Sequence, residues 1–465
     1  MALLIVLAAL IFLMAVAYRG YSVILFAPLA ALGAVFLTDP ELVAPMFTGL
    51  FMDKMVGFLK LYFPVFLLGA VFGKLIEVSG FSKAIVAATI RVVGAQRAIL
   101  SIVLVCAILT YGGVSLFVVV FAVYPFAAEL FRQSNIPKRL IPGTIALGAF
   151  TFTMDALPGS PQIQNIIPTS FFGTDTWAAP ILGVVGAIFI LILGMSYLEW
   201  RRRVAVAAGE GYGDNLLNEP APFAGGPLAN PFIAILPLLL VGISNKLFTL
   251  WIPHIYGVSY SFVPTVMGNA APVVQEVPKV AAIWAVQGAL LVGIVSVLVF
   301  AWAPVIKSFA ESSKQAISGA MLAAMNTASE YGFGAVIAAL PGFLIVANAL
   351  SAIPDPLINQ AITVTSLAGI TGSASGGMSI ALAAMSETFI ANANAAGIPM
   401  EVLHRVASMA SGGMDTLPHN GAVITLLAVT GLSHRQSYKD IFAITVIKTL
   451  AVFVIIATYY LTGWV

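Results

Sequence analysis

Apolar stretches long enough to cross a lipid bilayer follow one another along almost the whole chain. A membrane-spanning helix needs about 20 predominantly apolar residues, because the hydrocarbon core is about 30 Å thick. Inside that core only helices and closed barrels satisfy every backbone polar group. The sequence therefore predicts an all-α integral membrane protein. We place the stretches at residues 2–18, 20–38, 55–78, 140–172, 178–199, 229–251, 277–303, 316–350, 402–432 and 440–463.

The scarcity of charge excludes a water-soluble fold. Only 9% of the residues are charged and 60% are hydrophobic, whereas a soluble domain carries about 25% charged residues. A net charge of +2, spread over short connections, predicts no nucleic-acid partner. Cys106 is the only cysteine, so neither an intramolecular disulfide nor a thiolate metal cluster is expected. The expected partner is the lipid bilayer, and the expected location is a cell membrane, in a bacterium the inner one.

Several of the apolar stretches are too long or too interrupted for one straight helix. Residues 140–172, 316–350 and 402–432 each exceed a single span and contain Gly, Pro or charged residues, which predicts broken helices. Residues 98–131 and 357–395 have apolar arms on either side of a Gly/Ser cluster, which predicts two re-entrant hairpins. Non-helical backbone at membrane depth is tolerated only where protein or a water-filled cavity satisfies its polar groups. Each hairpin tip is therefore expected to line a site.

Two short motifs occur twice, in the same order. Gly112 to Ser115 recurs as Gly376 to Ser379, and Met154 to Pro158 recurs as Met414 to Pro418. The positive-inside rule puts the N-terminus outside and starts the second half inside, so the two copies have opposite orientations. This is the inverted-repeat architecture of many secondary transporters, in which interrupted segments at corresponding positions mark the binding site.

The division into repeats follows from one polar segment. Residues 200–228 begin with three arginines and continue as a Gly/Pro/Ala-rich stretch. We interpret them as a cytoplasmic linker between a first inverted repeat, residues 1–199, and a second, residues 229–465. Arg405 is an exception to the charge pattern. Glu77 and Glu330, each shortly before a Gly-Phe pair, form a weaker correspondence between the halves.

The helix breaks suit the binding of ions. Pro158 and Pro418 remove backbone donors and should unwind their helices, leaving free N–H groups on one fragment and free carbonyls on the other. Helix N-termini carry roughly +0.5 of an elementary charge and can hold a carboxylate. Asp155 and Asp415 lie in apolar stretches, where a central charge costs about 2.5–3.5 kcal/mol. They either couple transport to a cation or proton, or cap the fragment that follows the break.

Further polar residues surround these motifs. His419 could bind a carboxylate or carry a proton, since the ordinary pKa of histidine is about 6.5, or it could be structural. Glu387 could be a proton site or could face a vestibule. Asn420, Ser160, Gln162 and Asn165 are candidate neutral hydrogen-bonding partners, and Ser115, Ser373 and Ser379 supply hydroxyls near the tips.

The doubled tip and break motifs, spread over almost the whole chain, resemble the gluconate permease family of the ion transporter superfamily. Tyr111 to Ser115 and Asp155 to Asn165 are most similar to permeases for 3-hydroxybutyrate and related short hydroxy acids. The resemblance implies a scaffold domain that forms a homodimer and a transport domain that moves as an elevator. It also implies uptake of a hydroxy monocarboxylate by proton or sodium symport. By position, the family's tip residues correspond to Gly112, Gly113, Ser115, Gly376, Gly377 and Ser379, which would bind the substrate. Its break residues correspond to Asp155 and Asp415, which would couple the ion, and to Pro158 and Pro418, where the helices would break. Ser373, His419 and Asn420, which lie beside these motifs in the sequence, are further candidates for substrate binding.

Other functions fit the sequence less well. The motifs contain no arginine to clamp a second carboxylate, which disfavours dicarboxylates, whereas gluconate and other sugar acids remain an alternative substrate class. An intramembrane enzyme needs a nucleophile with its base or a metal site, but the four histidines form no His-Glu-x-x-His motif. No catalytic residue, metal site or cofactor is therefore expected. Two broken-helix sites favour alternating access over a channel. The sequence contains no nucleotide-binding motif, so a primary pump is not expected.

Overall fold

The computed structural model describes residues 1–19, 21–213, 217–220, 228–263, 272–418 and 420–465. Over these residues the chain is almost entirely helical, with one short antiparallel β-hairpin. The elements are α1 (Ala2–Tyr18), α2 (Val23–Thr38), α3 (Val43–Pro45), α4 (Met52–Val78), α5 (Phe81–Val93), α6 (Ala98–Tyr111), α7 (Leu116–Gln133), α8 (Ile141–Ala149), α9 (Phe152–Asp155), α10 (Ile163–Phe172), α11 (Pro180–Ala207), α12 (Pro231–Tyr256), β1 (Ser259–Phe262), β2 (Val273–Glu276), α13 (Val277–Phe300), α14 (Trp302–Ala339), α15 (Pro341–Ser351), α16 (Pro356–Thr371), α17 (Ala374–Ala395), α18 (Met400–Gly413), α19 (Gly421–Thr430) and α20 (His434–Thr462).

The prediction of a multi-pass membrane protein is confirmed. Among the described residues, five helices are long and apolar enough to cross a membrane, and a sixth span results if the bent pair α14 and α15 counts as one. The five are Pro40–Val78, α11, α12, α13 and α20. Helices α1 and α2 match two predicted stretches but have only 17 and 16 residues. Helix α5 and the β-hairpin were not predicted.

The three stretches predicted to be broken are broken. Residues 140–172 form α8, α9 and α10, and residues 402–432 form α18 and α19. Pro158 and Pro418 lie in the non-helical connections, as their missing backbone donors require. Helices α14 and α15 meet at an angle of 79°. Leu340, at that bend, is extended because it precedes a proline.

Two helical hairpins form at the predicted places, but the second tip is displaced. The first hairpin, α6 and α7, turns at Gly112–Ser115 as predicted. The second, α16 and α17, turns at Gly372 and Ser373, because Gly372 adopts a left-handed conformation with φ +66 and the Ser373 side chain caps α17. Gly376 and Gly377 therefore lie in the first turn of α17 and not at the tip, which corrects the sequence prediction.

Helix α11 extends through Ala207, into the segment predicted as a linker at residues 200–228. The described part of that segment is bound to the rest of the protein. Glu210 accepts a hydrogen bond from Arg139 Nε at 2.6 Å. Glu219 forms ion pairs with Lys138 Nζ at 2.6 Å and Arg132 Nη2 at 2.5 Å. Residues 214–216 and 221–227 of the predicted linker lie outside the described residues.

The two broken helices have matching second halves. Helices α10 and α19 both contain ten residues, and both end at a left-handed glycine, Gly173 and Gly431, with φ 65 and ψ 29. A polar side chain, Gln162 or Asn420, occupies the N-cap position of each. Around them α4 packs along α14, α12 along α13, and α10 against α17 and α18. Each half therefore repeats the same local structure at its break.

Candidate functional site

Each helix break is hydrogen-bonded to the hairpin tip of its own half through the N-cap residue of the following helix. Gln162 Nε2, before α10, donates to Thr110 O at 2.8 Å. Asn420 Nδ2, before α19, donates to Gly372 O at 2.8 Å. The carbonyls that accept these bonds are freed where α6 and α16 end. Tip and break, predicted separately from the sequence, are thus one unit in each half.

Asp415 fastens the second break to the second hairpin. Its Oδ1 accepts from Asn420 Nδ2 at 2.9 Å and from the backbone N–H of Ala374 at 3.4 Å, and its Oδ2 accepts from Gln164 Nε2 at 3.5 Å. Ala374 is the first residue of α17. The carboxylate therefore caps the hairpin helix α17, where the helix dipole favours an anion, and not the fragment after its own break. Gln164, from α10, joins it to the other half.

Asp155 has a different environment, although its motif is the same. It ends α9 and is 1% exposed. Its Oδ2 lies 3.9 Å from Lys448 Nζ and packs so closely on Gly412 that a Cβ there would be 1.6 Å from it. Its Oδ1 has no hydrogen-bond partner. The carboxylate does not cap α10, which begins at Ile163, so the capping alternative does not describe Asp155.

Lys448 is the buried cation of the site, and the sequence analysis missed it. It lies in α20, its side chain is 1% exposed, and its Nζ donates a hydrogen bond to Phe150 O, where α8 gives way to α9. Its charge also acts on Asp415. In the register that superposes Gly173 and Gly431, the corresponding residue is Ile190, so the first half has no equivalent. Lys448 could have been identified from the sequence, because an ionisable residue inside an apolar stretch is a candidate functional residue.

Arg405, the exception in the charge pattern, holds the first break in place. Its Nη1 donates to Asp155 O at 2.8 Å and to Asn165 Oδ1 at 3.0 Å, and its Nη2 donates to Ala178 O at 2.7 Å. Of these acceptors, Asp155 O lies at the first break, Asn165 Oδ1 belongs to α10, and Ala178 O lies shortly before α11. His404, beside it, contacts Asn165 Oδ1 through Nε2 at 3.2 Å. Arg405 is therefore a positioning residue, and its fork is largely occupied by the protein itself.

Glu330 is a third buried carboxylate, which the sequence analysis did not assign to the site. It lies in α14, is 4% exposed, and its Oε2 has no hydrogen-bond partner among the described residues. That oxygen rests against Gly376 in the first turn of α17. The residue suggested as its counterpart, Glu77, is paired with Lys74 at 3.0 Å and has 37% of its side chain exposed. The two glutamates are therefore not equivalent.

The glycines and serines of the predicted site have varied surroundings. Gly113 has a positive φ of +95, which side chains rarely adopt, and a Cβ there would lie 3.4 Å from Pro161 Cγ of the first break. A Cβ on Gly112 would lie 2.4 Å from Leu238 Cγ. Ser115 precedes α7 without a capping hydrogen bond from its side chain. Ser379 is buried in α17 and its Oγ has no partner. His419 lies outside the described residues.

A cavity of about 630 Å³ lies next to the first break. Its lining includes Asp175, Trp177, Lys246 and Glu401, between the end of α10 and helices α12 and α13. The Trp177 ring, with Lys246 Nζ 4.9 Å from its centroid, packs on Gly159, where a Cβ would lie 2.5 Å from the ring. The tryptophan therefore separates the cavity from the first break.

Comparison with known proteins decides the class of this chain. The uncharacterized transporter YxjC of Bacillus subtilis (strain 168) is 59% identical to it over 474 residues, which cover 100% of both chains. The chain belongs to the YxjC transporter family. It is a multi-pass membrane transporter, and the YxjC relationship implies transport and not enzyme catalysis. The name YxjC specifies neither a substrate nor a coupling ion.

Other comparisons add little. No family profile matches the chain. Among solved structures, the YdaH transporter of Alcanivorax borkumensis superposes with a TM-score of 0.48 at 12% sequence identity, over 92% of this chain and 90% of that one. This likeness is too weak to support an argument about the YxjC family.

Proposed function

We propose that this chain is a secondary active transporter, a permease that takes up a small hydroxy monocarboxylate such as 3-hydroxybutyrate by symport with a proton or sodium ion. The observation that carries the proposal is the pair of break and tip units. In the second of them, Asp415, Asn420 and the first turn of α17 form one hydrogen-bonded group inside an apolar protein. Interrupted helices at corresponding places in two halves are typical of carrier binding sites.

The arrangement favours an anion with one carboxylate. The N-termini of α10 and α19 lie at the two breaks, where the helix dipole favours an anion, and the charge of Lys448 is offset by Asp155. A second carboxylate would need a further cation. Arg405 does not offer a free fork, because its Nη1 and Nη2 donate to Asp155 O, Asn165 Oδ1 and Ala178 O. Dicarboxylates are therefore poor candidates.

The buried acids support coupling to a cation. Lys448 lies 3.9 Å from Asp155 and offsets its charge. Among the described residues, the hydrogen bonds to Asp415 come from neutral donors, namely two side-chain amides and one backbone N–H. Ionisable residues buried inside membrane proteins mark ion and proton pathways. We assign the coupling role to Asp155 and Asp415, with no cofactor.

We further propose the transport architecture that the resemblance to gluconate permeases implies. Residues 1–199 and 229–465 are two inverted repeats joined by a cytoplasmic linker at 200–228. A scaffold domain forms a homodimer, and a transport domain that contains both hairpins moves as an elevator in the cell membrane. The packing of α10 against α17 and α18 supports a single moving unit, because it joins the breaks of both halves.

The first experiment is uptake of labelled 3-hydroxybutyrate into proteoliposomes under an inward proton gradient, then under a sodium gradient. We expect saturable accumulation that resists unlabelled gluconate. Full competition by gluconate would favour the sugar-acid alternative. The variants Asp155→Asn and Asp415→Asn should lose gradient-driven accumulation while remaining folded. If both accumulate substrate normally, the two aspartates have no part in coupling.

A further inference from the structure

Glu330 and Asp415 both contact the first turn of α17. Glu330 Oε2 would be 1.6 Å from a Cβ on Gly376, and Ser373 Oγ would be 3.0 Å from the same point. Asp415 Oδ1 accepts from the N–H of Ala374. Two buried carboxylates, one on α14 and one at the second break, therefore flank the same helix N-terminus. A helix dipole can favour one negative charge there, but hardly two in so small a space.

Of the two, Glu330 is the less compensated. Asp415 accepts three hydrogen bonds, whereas the Glu330 carboxylate has the Ser373 side chain as a donor and its buried Oε2 accepts no hydrogen bond from the described residues. An ionised carboxylate with a bare oxygen in an apolar interior is costly, and the neutral acid avoids that cost. A neutral carboxyl group also gains an O–H donor that the charged form lacks.

Among the residues that the structure describes, no cation near Glu330 would hold it ionised. Helix α14 packs against α2, α4, α13, α15 and α17, and α2 and α15 have no titratable side chain. Among the described residues, only the charge of Asp415 acts on the Glu330 carboxylate, and it is negative. The other charged residues of α14 and of the helices packed against it do not act on the Glu330 carboxylate. They are Asp53, Lys54, Lys60, Lys74, Glu77, Lys279, Glu387, Lys307, Glu311 and Lys314.

The position of Glu330 also relates it to movement of the hairpin. Glu330 belongs to α14, which packs along α4 and α2, whereas Ser373 and Gly376 belong to the hairpin of α16 and α17. A displacement of the hairpin along α14 would separate the carboxyl group from the first turn of α17. The protonation state of Glu330 and the position of the hairpin are therefore linked.

We propose that Glu330 is a proton-binding site of the transport cycle, which takes a proton from water on one side of the membrane and releases it on the other when the hairpin moves. The O–H bond forms on the Glu330 carboxylate and breaks again to water, so no further reactant is needed. This inference rests on the proposed function as a coupled transporter, and it selects the proton over sodium as the coupling ion.

The test compares Glu330→Gln with Glu77→Gln, its exposed counterpart on α4, in proteoliposomes. A gradient of one pH unit supports up to about tenfold accumulation for each coupled proton. Because glutamine mimics the neutral acid, Glu330→Gln should still exchange labelled for unlabelled 3-hydroxybutyrate but should accumulate none under the gradient. Glu77→Gln should accumulate like the wild type. Normal pH-driven accumulation by Glu330→Gln would overturn the inference and leave the proposed function intact.

A second variant covers the case in which Glu330→Gln does not fold. Gly376→Ala puts a methyl group where Glu330 Oε2 lies, and alanine favours the helix. It should lose pH-driven accumulation, and undiminished accumulation would contradict the inference. Accumulation by the wild type under a sodium gradient alone would also contradict it, although symport would stand.

Infrared spectroscopy tests Glu330 without any substrate. The purified wild type at neutral pH should show a protonated-carboxyl absorption that Glu330→Gln lacks and Glu77→Gln retains. If 3-hydroxybutyrate and gluconate are not transported at all, the proposed substrate is wrong, and the infrared result still decides the state of Glu330. Identical carboxyl absorption in the wild type and Glu330→Gln would overturn the inference.

Discussion

Replacement of Lys448 by methionine tests the asymmetric site most directly. The ammonium group is buried, lies 3.9 Å from Asp155 Oδ2 and donates to Phe150 O. Its removal leaves a buried carboxylate whose other oxygen, Oδ1, already has no partner. Removing one partner of a buried ion pair costs about 3–5 kcal/mol. Methionine keeps most of the side-chain volume, so the loss is mainly electrostatic.

An independent route gives a similar magnitude. If Asp155 takes up a proton to avoid the unpaired charge, the cost at pH 7 is about 4 kcal/mol, because the ordinary pKa of aspartate is about 3.9 and each pH unit is worth about 1.4 kcal/mol. We therefore expect Lys448→Met to lower the free energy of unfolding by about 4 kcal/mol. Lower pH, which supplies the proton, should restore part of it.

The assay is reversible unfolding in mixed micelles, supported by thermal midpoints in detergent. Lys439→Met, on the exposed face of α20, is the matched control and should change stability by no more than about 0.5 kcal/mol. Asp155→Asn should rescue Lys448→Met, with an interaction energy of about 2–3 kcal/mol in the double-mutant cycle. Strictly additive effects, or a Lys448→Met protein as stable as the wild type at pH 7, would refute the pairing.

Three further predictions concern other parts of the protein. Gly159→Ala should destabilise by more than Gly173→Ala in thermal unfolding, since both glycines have positive φ but only the first would place a Cβ against the Trp177 ring; backbone strain alone costs about 1–3 kcal/mol. Asn420→Ala should cost about 1.5–3 kcal/mol and raise the KM for transport, because it removes a hydrogen bond to a charged carboxylate and the bond to the hairpin tip. Burial raises the pKa of Glu219, but the hydrogen bonds from its lysine and arginine partners outweigh that effect and lower the pKa below 4.5. Above pH 4.5 the wild type should therefore have a higher thermal midpoint than Glu219→Gln. The difference should vanish as the pH falls through the lowered pKa, because the carboxylate then becomes protonated.

The positions of the helix breaks could be predicted from the local chemistry of proline. Pro158 and Pro418 lie where the helices are interrupted, because a proline cannot donate the backbone bond wherever it stands in the fold. The glycine pair at 376 and 377 shows the limit of the same reasoning. A glycine pair indicates close approach of a backbone, but not what approaches. In the structure the nearest neighbours are Glu330 of α14 for Gly376 and Ala368 of α16 for Gly377.

For Asp155 and Asp415, the sequence predicted the burial of the carboxylates but not their partners. Their shared motif and apolar context predicted buried, functional carboxylates, and both are buried. Their partners could not be predicted, because they come from distant segments. Lys448 reaches Asp155 from the last helix, and Arg405 reaches the carbonyl of Asp155 from the other half. Lys448 and Arg405 each looked locally like one ionisable residue in an apolar stretch.

The sequence by itself determined the membrane-spanning character, the places where helices break and the repetition of tip and break, because these depend on hydrophobic length, proline and glycine chemistry and internal similarity. Only the tertiary structure decided that Asp415 caps α17, that Asp155 faces Lys448 and that Glu330 lies against the second hairpin. These contacts join residues far apart along the chain. The two Asp-x-Leu-Pro motifs are alike in sequence, but only the packing of the two halves places Lys448 beside Asp155 and neutral donors beside Asp415.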